Sequence, residues 1–232
     1  MVSHERSGTH FLMNGLRRAY GYSAPHLAFD WHALPIDYRN PTVVANVLGK
    51  IGNSPGEAIV KSHHALGFFD GVLDRVLRNT PILYIHRDPV DVMVSFWRYA
   101  RQWLGGEMAH AATAFEFAAS PPSMSMTRYQ ATFCRTILER WGQHVDNWTS
   151  AASTRRRLVV VRYDQLRDRY ADTMTGLEKL LGPVSGTLDA PDRETDVIAG
   201  MPADRLPAPD RIALQALALR QVGETMRRHA YA

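Results

Sequence analysis

Short apolar runs alternate along the chain with stretches in which apolar residues recur every three or four positions. The runs have the length of buried strands, and the recurring stretches are typical of amphipathic helices. Because strands that alternate with helices usually form a parallel sheet covered by helices, we predict a three-layer α/β/α domain around a short central parallel sheet. The predicted strands cover residues 1–3, 58–60, 82–85 and 158–161.

Helices are predicted wherever the apolar residues keep a helical period. The longest apolar stripe runs from Tyr129 to Trp148 and indicates one helix packed lengthwise on the core. The segments 21–57 and 105–128 show no clear period, so we expect irregular loops there, of the kind that serve as lids or binding loops. The other predicted helices lie near residues 9–19, 69–77, 89–104, 177–181 and 209–228.

Composition favours a soluble globular protein, because apolar residues make up 45% and charged residues 22% of the chain. No repeat or low-complexity linker divides the sequence, so we predict a single domain over residues 1–232. No stretch approaches the roughly 18 uninterrupted apolar residues of a membrane span, and the first residues lack the basic-then-apolar order of a secretory signal. Cys134 is the only cysteine, so no internal disulfide can form. We expect a cytoplasmic protein with no membrane partner.

The formal net charge of +4 fits either a mildly basic surface or a small anionic ligand held in a pocket. A nucleic-acid partner would usually require a Lys/Arg stripe interleaved with aromatic residues. The densest basic run, Arg155–Arg157, is too short to indicate one. We therefore expect a small-molecule partner and no nucleic acid, and the sequence predicts no oligomeric state.

A candidate anion-binding loop lies between the first predicted strand and the helix that follows. It consists of Arg6, Ser7, Gly8, Thr9 and His10. Gly8 permits close approach of the backbone to an anion, and the first N–H groups of a helix point toward such a ligand. Ser7 and Thr9 add hydroxyl donors and Arg6 a permanent positive charge. The alternative is an ordinary helix cap, and the loop lacks the glycines and lysine of a Walker A motif.

A second candidate anion site follows the predicted strand 82–85. Arg87 leaves the end of that strand, and Ser95 lies about two turns into the next helix. This arrangement can bring a guanidinium and a hydroxyl to one anion. The alternative is that Arg87 forms a salt bridge with Asp88 or Asp91 while Ser95 only fills space.

Taken in order, these motifs resemble those of the PAPS-dependent sulfotransferases of the cytosolic and bacterial small-molecule type, where PAPS is 3′-phosphoadenosine-5′-phosphosulfate. Residues 6–9 resemble their 5′-phosphosulfate loop, and residues 87–95 resemble their 3′-phosphate motif with the same Arg-to-Ser spacing. Residues 160–166 resemble the strand that carries an adenine-contacting tyrosine, here Tyr163. In the family this strand is usually followed by a leucine-rich helix, which the helix that ends here at residues 180–182 resembles.

The resemblance extends from residue 1 to about residue 182 and implies a P-loop-like sulfotransferase fold. It implies PAPS as the donor, PAP as the product and no metal. Phe11 takes the place of a frequent tryptophan that packs near the adenine. The nucleotide-binding residues implied are Arg6, Ser7, Gly8, Thr9, His10, Phe11, Arg87, Ser95 and Tyr163.

The resemblance also implies how the reaction is catalysed. The sequence Lys61-Ser62-His63 is similar to the family's Lys-Thr-His, in which the histidine deprotonates the acceptor. His63 is therefore predicted to be the general base, and a histidine suits that task because its unperturbed pKa is about 6.5. Arg6 is predicted to stabilise the leaving phosphate. Lys61 and His64 are predicted on the acceptor side, although His64 competes with His63, and successive strand residues point to opposite faces.

Several positions depart from the family's pattern. Arg6 stands where the family usually has a lysine, and residues 183–232 contain no Arg-Lys-Gly loop to complete the 3′-phosphate site. Arg193 or Arg205 are candidates to replace it. Because this loop is missing, a protein that binds PAPS without catalysing transfer is an alternative. A nucleotide-dependent phosphotransferase of related fold is a further alternative, although it would need a Walker lysine, which the sequence lacks.

Overall fold

A parallel β-sheet forms the centre of the protein. The computed structural model describes residues 1–30, 33–52, 58–103, 110–191 and 206–232. Within these ranges the strands are β1 (Val2–Ser3), β2 (Ser23–Ala28), β3 (Ala58–Lys61), β4 (Ile82–His86) and β5 (Leu158–Arg162). All the strand pairs are parallel, in the orders β1-β4-β5 and β2-β3.

The two groups of strands meet at β1. Val2 pairs with Ser62 in a parallel bridge directly after β3, and the Ser3 N–H donates to the Ser62 carbonyl at 3.2 Å. The continuous order is therefore β2-β3-β1-β4-β5. The short strand β1 thus lies centrally, and the segments that leave the carboxyl ends of β1, β3, β4 and β5 gather along one edge, where open parallel sheets bind ligands.

Helices cover both faces of this sheet. They are α1 (Thr9–Tyr20), α2 (Pro41–Gly52), α3 (Leu73–Asn79), α4 (Pro89–Trp103), α5 (Ala114–Ala119), α6 (Met124–Thr127), α7 (Ile137–Ser153), α8 (Tyr163–Asp168), α9 (Tyr170–Gly176), α10 (Glu178–Leu181) and α11 (Ala208–Arg228), with a 3₁₀ turn at Leu66–Phe69. No helix among the described residues has the length and apolar character needed to cross a membrane.

The side chains of β4, all buried, alternate between two apolar layers. Leu83 and Ile85 pack in one cluster with Phe11 of α1. Ile82 and Tyr84 pack in the other with Trp148 of α7. This alternation, which the strand pleat requires, places helices on both faces and confirms the predicted three-layer α/β/α architecture.

The segment 21–57 was predicted to be irregular, and this prediction is wrong in its described parts, which contain β2 and α2. Among the described strands, β2 pairs with β3 alone and is an edge strand. α2 starts after Asn40, whose side-chain Oδ1 accepts from the Thr42 N–H at 3.0 Å. An Asn cap followed by a proline is a helix-start signal that outweighs a weak apolar period.

The boundaries around the longest apolar stripe also differ from the prediction. Residues 114–119 and 124–127 are helical, and α7 begins only at Ile137, so Phe133 is 82% exposed and lies outside the stripe. The Thr136 hydroxyl accepts from the Glu139 N–H at 3.0 Å, and the Glu139 carboxylate accepts from the Arg135 N–H at 2.7 Å. This capping-box signature fixes the start of α7 more strongly than the apolar pattern does.

Two further predicted helices are divided. The stretch predicted as one helix at 69–77 is split by Gly71, which has φ +76°, into the 3₁₀ turn and α3. The chain around residue 177 forms the three short helices α8, α9 and α10.

Candidate active site

The predicted anion loop joins β1 to α1 in a conformation that few residues adopt. Arg6 has φ +65° and Gly8 has φ +95°, in the left-handed region that favours glycine. A Cβ atom at Gly8 would lie 2.2 Å from Cδ2 of Tyr163, so the position has no room for a larger residue. The Ser7 hydroxyl is buried and finds no hydrogen-bond partner among the described residues. The loop therefore presents an unused donor next to the start of a helix.

Arg6 connects this loop to the second predicted anion site. Its Nε donates to the Ser95 hydroxyl at 3.0 Å across 89 residues of sequence, and its Cζ lies 5.3 Å from the ring centroid of Tyr99. The structure thus brings Arg6 and Ser95, which the sequence assigned to different phosphates of one nucleotide, into direct contact.

Arg87 lies at the carboxyl end of β4, beside the residue that follows β5. Its Cζ is 4.6 Å from the ring centroid of Tyr163, and the Phe11 ring meets the same tyrosine edge-on at 6.1 Å between centroids. Arg87 Nη2 also lies 3.4 Å from Asp91 Oδ2, so the salt bridge considered as its alternative role is present. Asp88 instead caps α4, since its Oδ1 accepts from the Asp91 N–H at 3.1 Å.

An open cavity of about 420 Å³ lies over the carboxyl ends of β4 and β5, and we name it the arginine cavity. Four guanidinium groups, three carboxylates and a tyrosine ring line it together with the last residues of the chain. The lining residues are Arg87, Asp88, Asp91, Arg162, Tyr163, Asp164, Arg167, Arg211 and residues 230–232. The volume lies within the range of small-ligand sites, and the charges suit an anionic ligand.

His63 follows β3, on the side of β1 that is away from β4. Its ring is held in one tautomer. Its Nδ1 is 2.9 Å from the Ser3 carbonyl oxygen and 3.2 Å from Ser3 Oγ. Because a carbonyl oxygen only accepts, Nδ1 carries the proton and donates, which leaves Nε2 with a free lone pair. Burial, reinforced by the nearby charge of Lys61, lowers the pKa of His63 to about 4. The ring is therefore neutral at pH 7 and can accept a proton at Nε2.

Lys61 lies two residues before His63, and this spacing puts both side chains on the same face of the chain. Its Nζ lies 3.4 Å from Nε2 of His10, and burial lowers the pKa of Lys61. The Ser3 hydroxyl, which touches His63, lies 2.7 Å from the Thr9 hydroxyl. The predicted base and the predicted anion loop are thus joined by hydrogen bonds through Ser3.

His64 is enclosed by aromatic side chains. It is fully buried, its ring stacks on Tyr38 with centroids 4.4 Å apart, and its Nδ1 lies 3.0 Å from Ser62 Oγ. His64 and His63 both contact the ring of Tyr129 edge-on, at 5.0 and 6.0 Å between ring centroids. A contact between His64 and an acceptor stays a prediction.

A group of buried polar residues behind His63 was not predicted from the sequence. We name it the Glu5 network, and its members are His4, Glu5, Tyr84, Arg140 and His144. Arg140 donates to both carboxylate oxygens of Glu5, at 2.8 and 2.7 Å, and its Nη1 lies 2.9 Å from His4 Nε2. His144 Nε2 donates to the His63 carbonyl at 3.3 Å, and its Nδ1 accepts from the Tyr84 hydroxyl at 2.9 Å.

The charge of Glu5 is stabilised inside this network. Burial opposes ionisation, but the charge of Arg140 and its hydrogen bonds to the carboxylate hold the pKa of Glu5 well below its usual range. A signal for the network was present in the sequence. Arg140 and His144 lie four residues apart beside the apolar stripe of α7, where polar side chains need buried partners.

Two predicted candidates, Arg193 and Arg205, lie outside the described residues. In the ranges that the structure describes, no group of three or more His, Cys, Asp or Glu side chains is arranged to hold a metal ion.

Comparisons with known proteins agree with the motif order. The model of the sulfotransferase domain family matches residues 1–192. Mouse sulfotransferase SULT7A1 complexed with PAP superposes with a TM-score of 0.52 at 17% identity, over 83% of this chain and 59% of that one. Retinol dehydratase in a complex with retinol and PAP superposes with a TM-score of 0.53 at 14% identity, over 99% of this chain and 68% of that one. No curated protein matches the sequence.

Proposed function

The chain belongs to the sulfotransferase domain family, as its motifs predicted, and we propose that it transfers a sulfuryl group from PAPS to a hydroxyl or amine of a small-molecule acceptor. The chain spans 59% of the length of the mouse sulfotransferase and shares its fold. The observation that carries the proposal is the convergence of the anion loop, Arg87 and Tyr163 at one edge of the sheet, next to a tautomer-fixed His63.

The donor nucleotide is bound, in this proposal, by residues on both sides of β1. The loop of Arg6, Ser7 and Gly8 takes the 5′-phosphosulfate, with the buried Ser7 hydroxyl as a donor. Thr9 and His10 lie at the start of α1 beside it. The 3′-phosphate lies near Arg87 and Ser95, and the adenine contacts Tyr163 and Phe11, whose rings are in contact.

The transfer step is an in-line displacement at sulfur. Nε2 of His63 accepts the proton of the acceptor hydroxyl, and the acceptor oxygen forms a bond to sulfur. The bond between sulfur and the bridging oxygen of PAPS breaks, and its electron pair leaves with PAP. Arg6 stabilises the charge that develops on the departing phosphate, because a guanidinium stays protonated throughout. Lys61 and His64 are assigned to the acceptor side.

The test uses PAP first, because the acceptor is unidentified. Calorimetric titration should detect PAP binding to the parent protein and a loss of about 10-fold to 100-fold in affinity for Arg87→Ala, the range expected when a charged hydrogen-bonding partner is removed. The parent should also use 4-nitrophenyl sulfate as a sulfuryl donor to PAP, which releases coloured 4-nitrophenolate. A folded parent that does not bind PAP would contradict the proposal, and PAP binding without any transfer would support a binding protein instead.

A further inference from the structure

The four arginines of the arginine cavity are paired with carboxylates in two different ways. Arg162 pairs with Asp164 through contacts of 3.0 and 2.5 Å. Arg167 pairs with Asp168 through contacts of 2.5 and 2.6 Å. Each of these two guanidiniums thus has a carboxylate of its own, one or two residues along the chain.

The other two arginines of the cavity share one carboxylate. Arg211 Nη2 lies 2.9 Å from Asp91 Oδ1, and Arg87 Nη2 lies 3.4 Å from Asp91 Oδ2. Asp88, the remaining acidic group nearby, accepts the first N–H groups of α4. Arg87 and Arg211 therefore share the Asp91 carboxylate, and each of them contacts it through Nη2 alone.

The geometry of this trio corresponds to that of two arginines bound to one oxyanion. Each oxygen of the Asp91 carboxylate contacts a different guanidinium. Arg87 also has a buried Nε without a hydrogen-bond partner among the described residues. A phosphate monoester carries a charge of about −1.5 to −2 and three acceptor oxygens, so it matches two guanidiniums better than one carboxylate does.

We propose that Arg211 and Arg87 together bind the 3′-phosphate of the nucleotide and that Asp91 holds both guanidiniums in place when the nucleotide is absent. This inference rests on the proposed function. Arg211 belongs to α11 and lies beyond the residues 1–192 that the family model matches. It therefore supplies from the last helix a cation that the sequence does not supply through an Arg-Lys-Gly loop, and it makes the site selective for nucleotides with a 3′-phosphate.

The test compares PAP with adenosine 5′-phosphate, which lacks the 3′-phosphate, by calorimetric titration. We expect Arg211→Ala to bind PAP about 10-fold to 100-fold more weakly and adenosine 5′-phosphate with unchanged affinity. Arg211→Lys should recover part of the PAP affinity. Arg220→Ala is the matched control, because Arg220 is an exposed arginine of the same helix that does not line the cavity.

A second variant separates phosphate binding from a structural role. If Arg211 only fastens α11 to α4, Asp91→Asn should weaken PAP binding as Arg211→Ala does. If Asp91 competes with the phosphate, Asp91→Asn should bind PAP at least as tightly as the parent. Equal PAP affinity of the parent and Arg211→Ala, or an equal loss for both nucleotides, would overturn this inference alone. A parent that binds neither nucleotide would overturn the proposed function with it.

Discussion

The Glu5 network and the arginine cavity both pair arginines with carboxylates, yet they are built in opposite ways. In the Glu5 network, Arg140 is 3% exposed and contacts both oxygens of a carboxylate that is 13% exposed. In the arginine cavity, Arg211 is 52% exposed and shares Asp91 with a second arginine. A buried ion pair with two hydrogen bonds resists change, whereas a half-exposed, shared one exchanges partners at low cost.

This difference corresponds to two tasks. The Glu5 network lies behind His63, and His144 donates to the backbone carbonyl of that residue. Preorganised positioning of a general base needs a rigid support. In the proposed function, by contrast, the cavity releases its internal ion pairs whenever a phosphate binds and forms them again when it leaves. We therefore expect substitutions near His63 to change catalysis and stability, and substitutions in the cavity to change nucleotide affinity.

The largest effect is expected for His63→Gln. Loss of a general base lowers the rate by about 10²-fold to 10⁴-fold, while PAP affinity should stay within about twofold of the parent. The rate is measured in the direction of transfer from PAPS, as PAP formed with a phenol acceptor whose hydroxyl is protonated at pH 7, and the affinity by calorimetric titration.

Arg87→Ala is the control variant for His63→Gln, because its main effect should be on PAP affinity. A His63→Gln variant that keeps the parental rate would show that another group accepts the proton. If His63→Gln instead weakened PAP binding as strongly as Arg87→Ala, the two regions would not have separate tasks.

The next largest effect is expected on stability. Arg140→Met leaves the buried Glu5 carboxylate without its cation and should lower the free energy of unfolding by about 3–5 kcal/mol. Arg211→Ala breaks a half-exposed ion pair and should cost less than about 1 kcal/mol. Urea unfolding followed by circular dichroism measures both.

The double variant Glu5→Gln with Arg140→Met removes the buried charge as well and should recover a large part of the loss. If Arg140→Met and Arg211→Ala lowered the free energy of unfolding equally, the two regions would not differ in this way.

Sequence patterns predicted the parts of the fold that local signals determine. The strand β4 and the helices α1 and α4 were predicted because fully buried apolar runs and regular periods are local features. The edge strand β2 and the short helices after residue 110 were missed, because capping and edge pairing decide them more than apolar period does.

The candidate site likewise contains residues that sequence patterns predict and residues that they do not. Motif residues such as Arg6, Arg87 and Tyr163 directly follow strands, so parallel topology alone places them at one edge of the sheet. The pairs Arg140–Glu5 and Arg211–Asp91 join positions 135 and 120 residues apart. No local pattern encodes such a pairing, because it depends on how α7 packs against the sheet and how α11 packs against the helices α4, α5 and α7.

A change of pH is expected to have a smaller effect per residue than Arg140→Met, and it also separates the two regions. Burial lowers the pKa of His4 and His64 to about 3 and that of His63 to about 4, and it holds the pKa of His144 well below its usual value. These histidines stay neutral in the folded protein, whereas in the unfolded chain they bind protons below about pH 6.5. Their contribution to stability is therefore fully present above pH 6.5 and is lost as the pH falls toward 4.

Between pH 6.5 and pH 5, each of these histidines should lower the free energy of unfolding by up to about 2 kcal/mol. The arginines of the cavity keep their charge over this range and should contribute little to the change. Urea unfolding at pH 7, 6 and 5 measures the slope, and His64→Phe, which removes one buried histidine, should reduce it by about one proton, or about 1.4 kcal/mol per pH unit. A stability that does not change between pH 7 and 5, or a His64→Phe variant with the parental slope, would mean that the histidines behind the site are not held neutral by burial.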